Sequence, residues 1–425
     1  MRIIIIGSSA ASKSAVDTLQ RYGGDDIELI IITKDRIPYY SRVILPNYQA
    51  GYLTEEELTF YHLQSFKGKT PEIIKGTVTG VEPSNREVVL ADGRQIGYDR
   101  LLICSGASPS VPLPERIPGE LIKGVCHFRN IEDIYQISEL LPDAKDCIVV
   151  GGGLIGLKAA VALNHLGKHV TVVHRSSQLL STFMDRQGSE MVYRILNIQG
   201  IDFILCDSIE SYATEQDKLS GTTLKSGRKV EAQLVVWAAG VSPNTDFLKS
   251  SGIEIDNGVC IDECMQTNIE GIFAAGDVTR AKNLLTNEPD TITLWTDATL
   301  QGKVAAWNVL GLRKRYIGGL NMNSVVFNGV PFISMGIIRE ADIQNDQVFT
   351  FLEQGKPVYR KIVLRDDQII GAVFAGDIRY AGMVNWDLKS KRPIKDGKRY
   401  VTLSGLEEVF REHHAELMST TVCSG

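Results

Sequence analysis

Residues 147–163 read CIVVGGGLIGLKAAVAL: an apolar β-branched run, then Gly151, Gly153 and Gly156, then a helix-forming stretch rich in Ala and Leu. No other feature limits the fold so strongly. A strand that turns at once into a helix needs one glycine for the turn, a second where a phosphate approaches the backbone, and a third where helix packs on strand. The helix N-terminus then faces the ligand with unpaired N–H groups and the positive end of its dipole. The next apolar run, HVTVVH at 169–174, completes a βαβ unit. Gly151, Gly153, Leu154, Ile155 and Gly156 are therefore candidate contacts for a dinucleotide.

The same design occurs earlier, at 2–22, with a second strand at 27–33, but its loop reads GSSAAS at 7–12 and keeps only Gly7. Taken alone, that loop is either a cofactor site or a plain strand-to-helix turn. Further apolar runs, RLLICSG, AQLVVWAAG and GIFAAGD, lie between helical patterns in the first 310 residues. Continuous Ile/Val/Leu runs of this kind are what parallel strands covered on both faces require, so the fold class is α/β. After about residue 318 the texture changes to short antiparallel strands and a helix at 404–418, a smaller α+β domain.

A net charge of −6 argues against a polyanionic partner, and no nucleic acid is expected. The basic stretch LKSKRPIKDGKRY at 388–400 reads first as a solvated loop. The chain enters a strand directly from Met1 and has no apolar run long enough to span a bilayer, so the expected location is cytoplasmic, without membrane insertion. Seven cysteines, including Cys260 and Cys264, form no C-x-x-C pair, which suits reduced structural thiols.

At the end of the strand after the glycine loop, where an acid would hold a ribose, stand His174 and Arg175. Arg175 suits either a 2′-phosphate or plain solvent. TNIEGIFAAGDVT brings Asp277 to the end of a strand, where a carboxylate can bond a ribityl hydroxyl, and LWTDATL opens a helix whose first turn can aim N–H groups at a flavin edge. Ser105–Gly106 and Gly240 follow two further strands and are small, as a close passage past a cofactor or between domains requires.

In order and spacing these segments resemble the pyridine nucleotide-disulfide oxidoreductases, flavoproteins with two dinucleotide sites. YYSRVILPNYQAG and MDRQ are most similar to rubredoxin reductases, the FAD region of assimilatory nitrite reductases, and FAD subunits of ferredoxin-linked complexes such as aldehyde oxidoreductase or phenylglyoxylate dehydrogenase. The resemblance implies an FAD domain at 1–112 and 241–318, interrupted by an NAD(P) domain at 113–240 and followed by an interface domain at 319–425. It makes GSSAAS a cofactor loop, with Ser9 at the close-approach position, Ala10 and Ala11 opening the helix and Ser12 in place of the packing glycine. It carries FAD contacts to Asp35, Arg42, Val78, Ser105, Gly106, Asp277 and Trp295, and nucleotide contacts to His174, Arg175 and Gly240.

Two departures narrow the chemistry. Disulfide reductases of this class carry cysteines where this chain reads YSRVILPN, which has none, so a thiol relay is not expected. The lysine that many rubredoxin-reductase-like proteins place near the flavin is Asn47 here. The resulting expectation is an FAD-dependent oxidoreductase using NAD(H), with NADP(H) still open, and passing electrons to an iron–sulfur protein or subunit in a homo- or hetero-oligomer. A stand-alone oxidase or peroxidase and a non-enzymatic FAD-binding scaffold are the rivals. The KSKRP segment and the C-terminal helix are candidate docking elements for an acidic partner.

Overall fold

In the computed structural model the chain is described over residues 1–62, 70–110, 115–117, 120–215 and 218–422. It divides into two compact units.

The first unit comprises Met1–Pro112, Arg129–Gln136 and Gly240–Leu320. Its centre is a five-stranded parallel sheet in the order Ile272–Ala274, Arg100–Ile103, Arg2–Ile6, Glu28–Thr33, Glu72–Lys75. The first strand shows why an unbroken Ile run was written there. Ile3 and Ile5 pack with Ala15, Val16, Leu19 and Val304 on one face, whereas Ile4 and Ile6 pack with Val81, Val88, Leu248 and Val259 on the other. All four are buried, and each contributes roughly 1.5–3 kcal/mol of hydrophobic stabilisation. The second face is covered by a three-stranded antiparallel sheet, Val78–Glu82, Glu87–Leu90 and Gln95–Gly97. The first face carries helices Ala10–Tyr22 and Trp295–Val309. These two helices meet through Gly302, where a Cβ would lie 2.1 Å from the Ala11 carbonyl oxygen.

The second unit comprises Leu113–Phe128, Ile137–Ala239 and Asn321–Gly425. A parallel sheet in the order Val125–His127, Leu234–Trp237, Asp146–Val150, His169–His174, Ile201–Leu205 repeats the first design. A five-stranded antiparallel sheet follows, Met322–Phe327, Val330–Gly336, Gln368–Ala375, Tyr359–Arg365 and Gln347–Leu352 in spatial order, with helices Ala381–Ser390 and Leu403–Val422. The architecture is the expected α/β one with an antiparallel C-terminal region. Cys423 lies outside the described residues.

The division differs from the expected one in two ways: residues 321–425 fall in one compact unit with residues 137–239, and a short segment changes unit. Residues 129–136, placed by sequence in the second dinucleotide-binding segment, belong to the first unit. Polar anchors explain this: Arg42 Nε donates to Asn130 Oδ1 at 3.2 Å, the Ile131 N–H to Tyr40 Oη at 3.2 Å, and Tyr135 Oη to Glu55 at 2.6 Å.

Gly302→Ala tests the helix pair. Alanine is favoured over glycine in a helix by about 1 kcal/mol, but a collision with backbone cannot be relieved by a rotamer change, so a net loss on the order of 2 kcal/mol is expected. Thermal unfolding of the variant beside the parent protein measures it.

Candidate functional site

Each parallel sheet ends in a loop of the same construction. Gly7 turns with φ +112°, and its N–H donates to the Ile32 carbonyl at 2.8 Å. A Cβ on Gly7 would stand 2.1 Å from the Cys104 carbonyl oxygen. Gly151 turns with φ +123°, its N–H donates to the Val173 carbonyl at 2.9 Å, and its Cβ would stand 2.4 Å from the Ala238 carbonyl oxygen. The loop is drawn against the end of the neighbouring strand so tightly that only glycine fits.

After each turn comes a helix whose first N–H groups are left without a side-chain partner. Ser9 and Gly153 are the residues just before helices Ala10–Tyr22 and Leu154–His165; neither provides a capping bond, and neither first turn holds an acid. Elsewhere the chain does cap: Thr54 bonds the Glu57 N–H and Asp185 bonds the Gly188 N–H. Two open, positively polarised helix ends at the carboxyl edges of two parallel sheets match the donor set a pyrophosphate needs. No atom lies within 4 Å of a Cβ on Gly153, so that space is open. Gly156 packs instead: a Cβ there would lie 1.9 Å from the Gly151 carbonyl oxygen. At the matching position of the first loop Ser12 is fully buried, with its Oγ 3.0 Å from Tyr39 Oη. Ala10 is buried, and Ala11 lies under Gly276 and Gly302, where it sets the spacing of the two helices. Leu154 and Ile155 are the first two residues of their helix, and Ile155 is exposed.

Around the first loop the carboxylates expected to meet sugar hydroxyls are paired with arginines. Arg42 Nη2 reaches both oxygens of Asp35, at 2.9 and 3.0 Å, and its guanidinium sits over the Tyr40 ring. Asp277 pairs with Arg129 at 3.0 Å, while Arg129 Nε donates to the Ala107 carbonyl at 3.3 Å. Arg129 escaped the sequence reading. The N-I-E-D that follows it does mark a helix start: the N–H groups of Arg129 and Asn130 both donate to Asp133 Oδ2 at 2.8 Å. Nothing in the sequence points across 148 residues to Asp277.

Below Asp277 a buried polar chain fixes the loop. The Gly276 N–H and Thr279 Oγ1 both donate to Gln301 Oε1 at 2.8 Å, Gln301 Nε2 donates to Asp297 at 2.7 Å, and Tyr316 Oη donates to Asp297 at 2.5 Å. Trp295 opens this helix, 36% exposed, edge-on to Phe60 at 4.7 Å. Ser105 and Gly106 are tied to Asn244: Ser105 Oγ donates to the Asn244 carbonyl at 3.0 Å, and the Asn244 N–H donates to the Gly106 carbonyl at 2.9 Å. Gly240, at φ +108°, accepts from the Ser110 N–H at 3.2 Å. Val78 begins the antiparallel sheet, packed against the second face of the parallel one.

His174 is used in a way its position did not suggest. Its Nδ1 accepts the Gly152 N–H at 3.1 Å, so the ring braces the glycine loop. Burial holds its pKa below the usual imidazole value, the neighbouring Arg175 adds to this, and a Gln178 backbone contact opposes it. Arg175 itself is exposed. The thiol nearest the first loop, Cys104, is buried in an apolar cluster and pushed well above the ordinary thiol range by desolvation, so it holds its proton.

A family model for pyridine nucleotide-disulphide oxidoreductases matches residues 1–302. The chain belongs to that family. A model of the rubredoxin NAD+ reductase C-terminal domain matches residues 322–389, over the antiparallel sheet and the first helix after it. That family is one of NAD(P)H-dependent flavin oxidoreductases, and membership implies FAD and NAD(P)H as cofactors. Among its relatives is a nitrite reductase [NAD(P)H] of Bacillus subtilis, 30% identical over 88% of this chain and 46% of that protein. Another is the epsilon subunit of an NADH-dependent phenylglyoxylate dehydrogenase of Aromatoleum evansii, 27% identical over 92% of each chain. The chain spans about half the length of the first two curated relatives it matches. A ferredoxin reductase structure from Rhodopseudomonas palustris superimposes with a TM-score of 0.86 at 21% identity, covering 96% of this chain and 99% of that one, and shares the fold. Among the described residues no helix is long and apolar enough to cross a membrane.

The His174 brace gives a pH dependence with a definite sign. The bond to Gly152 needs the neutral ring, and the depressed folded pKa means its contribution is complete above about pH 6.5 and is lost as pH falls through the folded value. The KM for the pyridine nucleotide is expected to rise as pH drops below the usual imidazole range, whereas in His174→Phe it is raised at every pH and lacks that limb. Steady-state kinetics from about pH 5 to about pH 8 distinguishes the two.

Proposed function

We propose that the protein binds FAD in its first unit and NAD(H) in its second, and exchanges hydride with the nucleotide and single electrons with an iron–sulfur protein or subunit. The observation that carries this reading is the pair of uncapped loops, Gly7–Ser9–Ala10 and Gly151–Gly153–Leu154, in a chain whose YSRVILPN segment lacks any thiol. Bound FAD supplies the step between two-electron and one-electron chemistry. The chain binds, orients and sets charge. The Gly7 loop holds one pyrophosphate by backbone N–H groups, with Arg42 and Asp35 at its adenosine side. Asp277 and the start of helix Trp295–Val309 hold the other end of the flavin, and Arg129 sets the charge there. Ser105 and Gly106 keep the backbone close and narrow, while Trp295 and Phe60 exclude water from one side. Val78 and Gly240 complete the contacts carried over from the family resemblance.

The second loop receives the nucleotide through Gly151, Gly153, Leu154, Ile155 and Gly156. With His174 bonded to Gly152 in place of the usual acid at the end of its strand, the ribose end is framed by a neutral ring and by the exposed Arg175. NAD(H) is the preferred nucleotide, a choice supported by the NADH-dependent relative. An iron–sulfur partner is supported by the rubredoxin-reductase C-terminal match and by relatives that are electron-transfer or complex subunits. Lys389 and Lys391, exposed at the end of helix Ala381–Ser390, are the cations offered to an acidic partner; Arg392 is partly engaged by Asp387 at 3.9 Å.

Anaerobic titration of the FAD-loaded protein with NADH and NADPH tests the core of this. NADH is expected to bleach the flavin at lower concentration than NADPH. Gly153→Val fills space that is open in the protein, so it should leave thermal stability and FAD content within experimental error while weakening NADH reduction about tenfold or more. Equal bleaching of parent and variant would remove the second loop from the mechanism. Reoxidation by oxygen alone, as fast as by any iron–sulfur acceptor, would return the oxidase reading. For the partner, the double variant Lys389→Glu, Lys391→Glu should slow electron transfer to an acidic iron–sulfur acceptor at low salt, with little difference left at high salt.

A further inference from the structure

The second unit contains a buried ionic cluster that the proposed chemistry does not use. Asp185 is 6% exposed; its Oδ1 accepts the Gly188 N–H at 3.0 Å, capping helix Arg186–Ile198, and its Oδ2 accepts from Tyr359 Oη at 2.5 Å and pairs with Lys361 Nζ at 3.3 Å. Lys361 is 3% exposed and its Nζ also donates to the Ile338 carbonyl at 3.0 Å. Tyr359 and Lys361 stand two apart on one strand of the antiparallel sheet, on the same face. Burying an ammonium and a carboxylate is costly even when they are paired, and a pair of well-packed apolar residues would serve stability as well. The position of the cluster points to a more specific role.

Upstream of Asp185, residues 179–184 run directly to the glycine loop. The Met184 and Phe183 N–H groups both donate to the Leu180 carbonyl, at 2.8 and 2.7 Å, and Gln178 Nε2 donates to the Met184 carbonyl at 2.8 Å. Leu180, in the left-handed region at φ +53°, donates its own N–H to the Gly152 carbonyl at 2.8 Å. A Cβ on Gly152 would stand 2.7 Å from Leu179 Cδ2. Leu179, Leu180, Phe183 and Met184 are all buried, so the segment has no room to shift independently. The Gly152 N–H is therefore held by His174, and its carbonyl by a rigid segment whose far end is Asp185.

We propose that Asp185, Tyr359 and Lys361 form a positioning cluster for the pyridine nucleotide: the antiparallel sheet fixes Asp185, Asp185 fixes the 179–184 segment, and that segment fixes the Gly151–Gly153 loop. This rests on the reading of that loop as the NAD(H) site. Its consequence is that nucleotide affinity depends on residues of the C-terminal sheet that touch no nucleotide.

The experiment uses the full FAD-loaded chain and three variants, Lys361→Met, Asp185→Asn and Tyr359→Phe. Each is expected to raise the KM for NADH about tenfold while the kcat at saturating NADH stays within about twofold, since the loop is displaced and not removed. Hydrogen exchange gives the second readout: the Leu180 and Gly152 amides should exchange faster in the variants, with amides of the first unit unchanged. If Lys361→Met does not fold, Tyr359→Phe removes one hydrogen bond and no charge and carries the same test. Unchanged KM together with unchanged exchange at Leu180 would overturn the proposal. Faster exchange at Leu180 in a protein whose parent form binds neither NADH nor NADPH would instead retain the mechanical link and overturn the nucleotide reading.

Discussion

At Gly7 and Gly151 the backbone passes so near the last carbonyl of an adjacent strand that a single methyl group would collide with it. Most of the molecule follows from those two contacts. They fix where each first strand must stop, which neighbour it must lie beside, and the direction in which the following helix leaves the sheet. They also place the start of each helix over the carboxyl edge of its sheet, where several chain segments from distant parts of the sequence end together. The buried Ile and Val runs supply the free energy, but they would tolerate other arrangements. The close turns do not.

Electrostatics then distinguishes the two loops. The first is surrounded by two carboxylates, each already matched to an arginine, so a charged ligand enters a region whose charges are balanced before it arrives. Such pairs keep two arginines and two aspartates ordered at 13–21% exposure and spare them reorganisation on binding. Among the described residues the second loop has no such pairing at the end of its following strand, and it is braced by the His174 imidazole instead. Cys104, buried behind the first loop, keeps its proton and offers no thiolate there, in keeping with the absence of cysteine from the YSRVILPN segment.

The fold was legible to the extent that it rests on local pattern. Gly151-x-Gly153-x-x-Gly156, the all-apolar strands and the change of texture near residue 318 each report on a few neighbouring residues, and the two parallel sheets and the antiparallel region follow from them. Asp277 and Trp295 could be placed at the starts and ends of elements for the same reason. Arg129 could not be found this way, because its meaning lies in a contact with Asp277 that only the sheet order creates. The displacement of residues 129–136 into the first unit has a similar origin: it depends on single hydrogen bonds to Tyr40, Arg42 and Glu55, which leave no periodic trace. His174 was located correctly along the chain, but its Nδ1 faces back into the loop, a matter of rotamer and not of spacing.

The helices that begin at Ala10 and Leu154 lack the capping side chain that others in the same chain possess. Without a ligand, the first amides of each must rely on solvent. On the proposed reading, a dinucleotide seated there would do the work of the missing cap, acting as the last structural component of the chain as well as its reagent. Folding of each unit is thereby linked to supply of its dinucleotide by mass action. A cell short of flavin would hold this protein nearer to its unfolded state, and more open to proteolysis, before it lost any activity to empty sites.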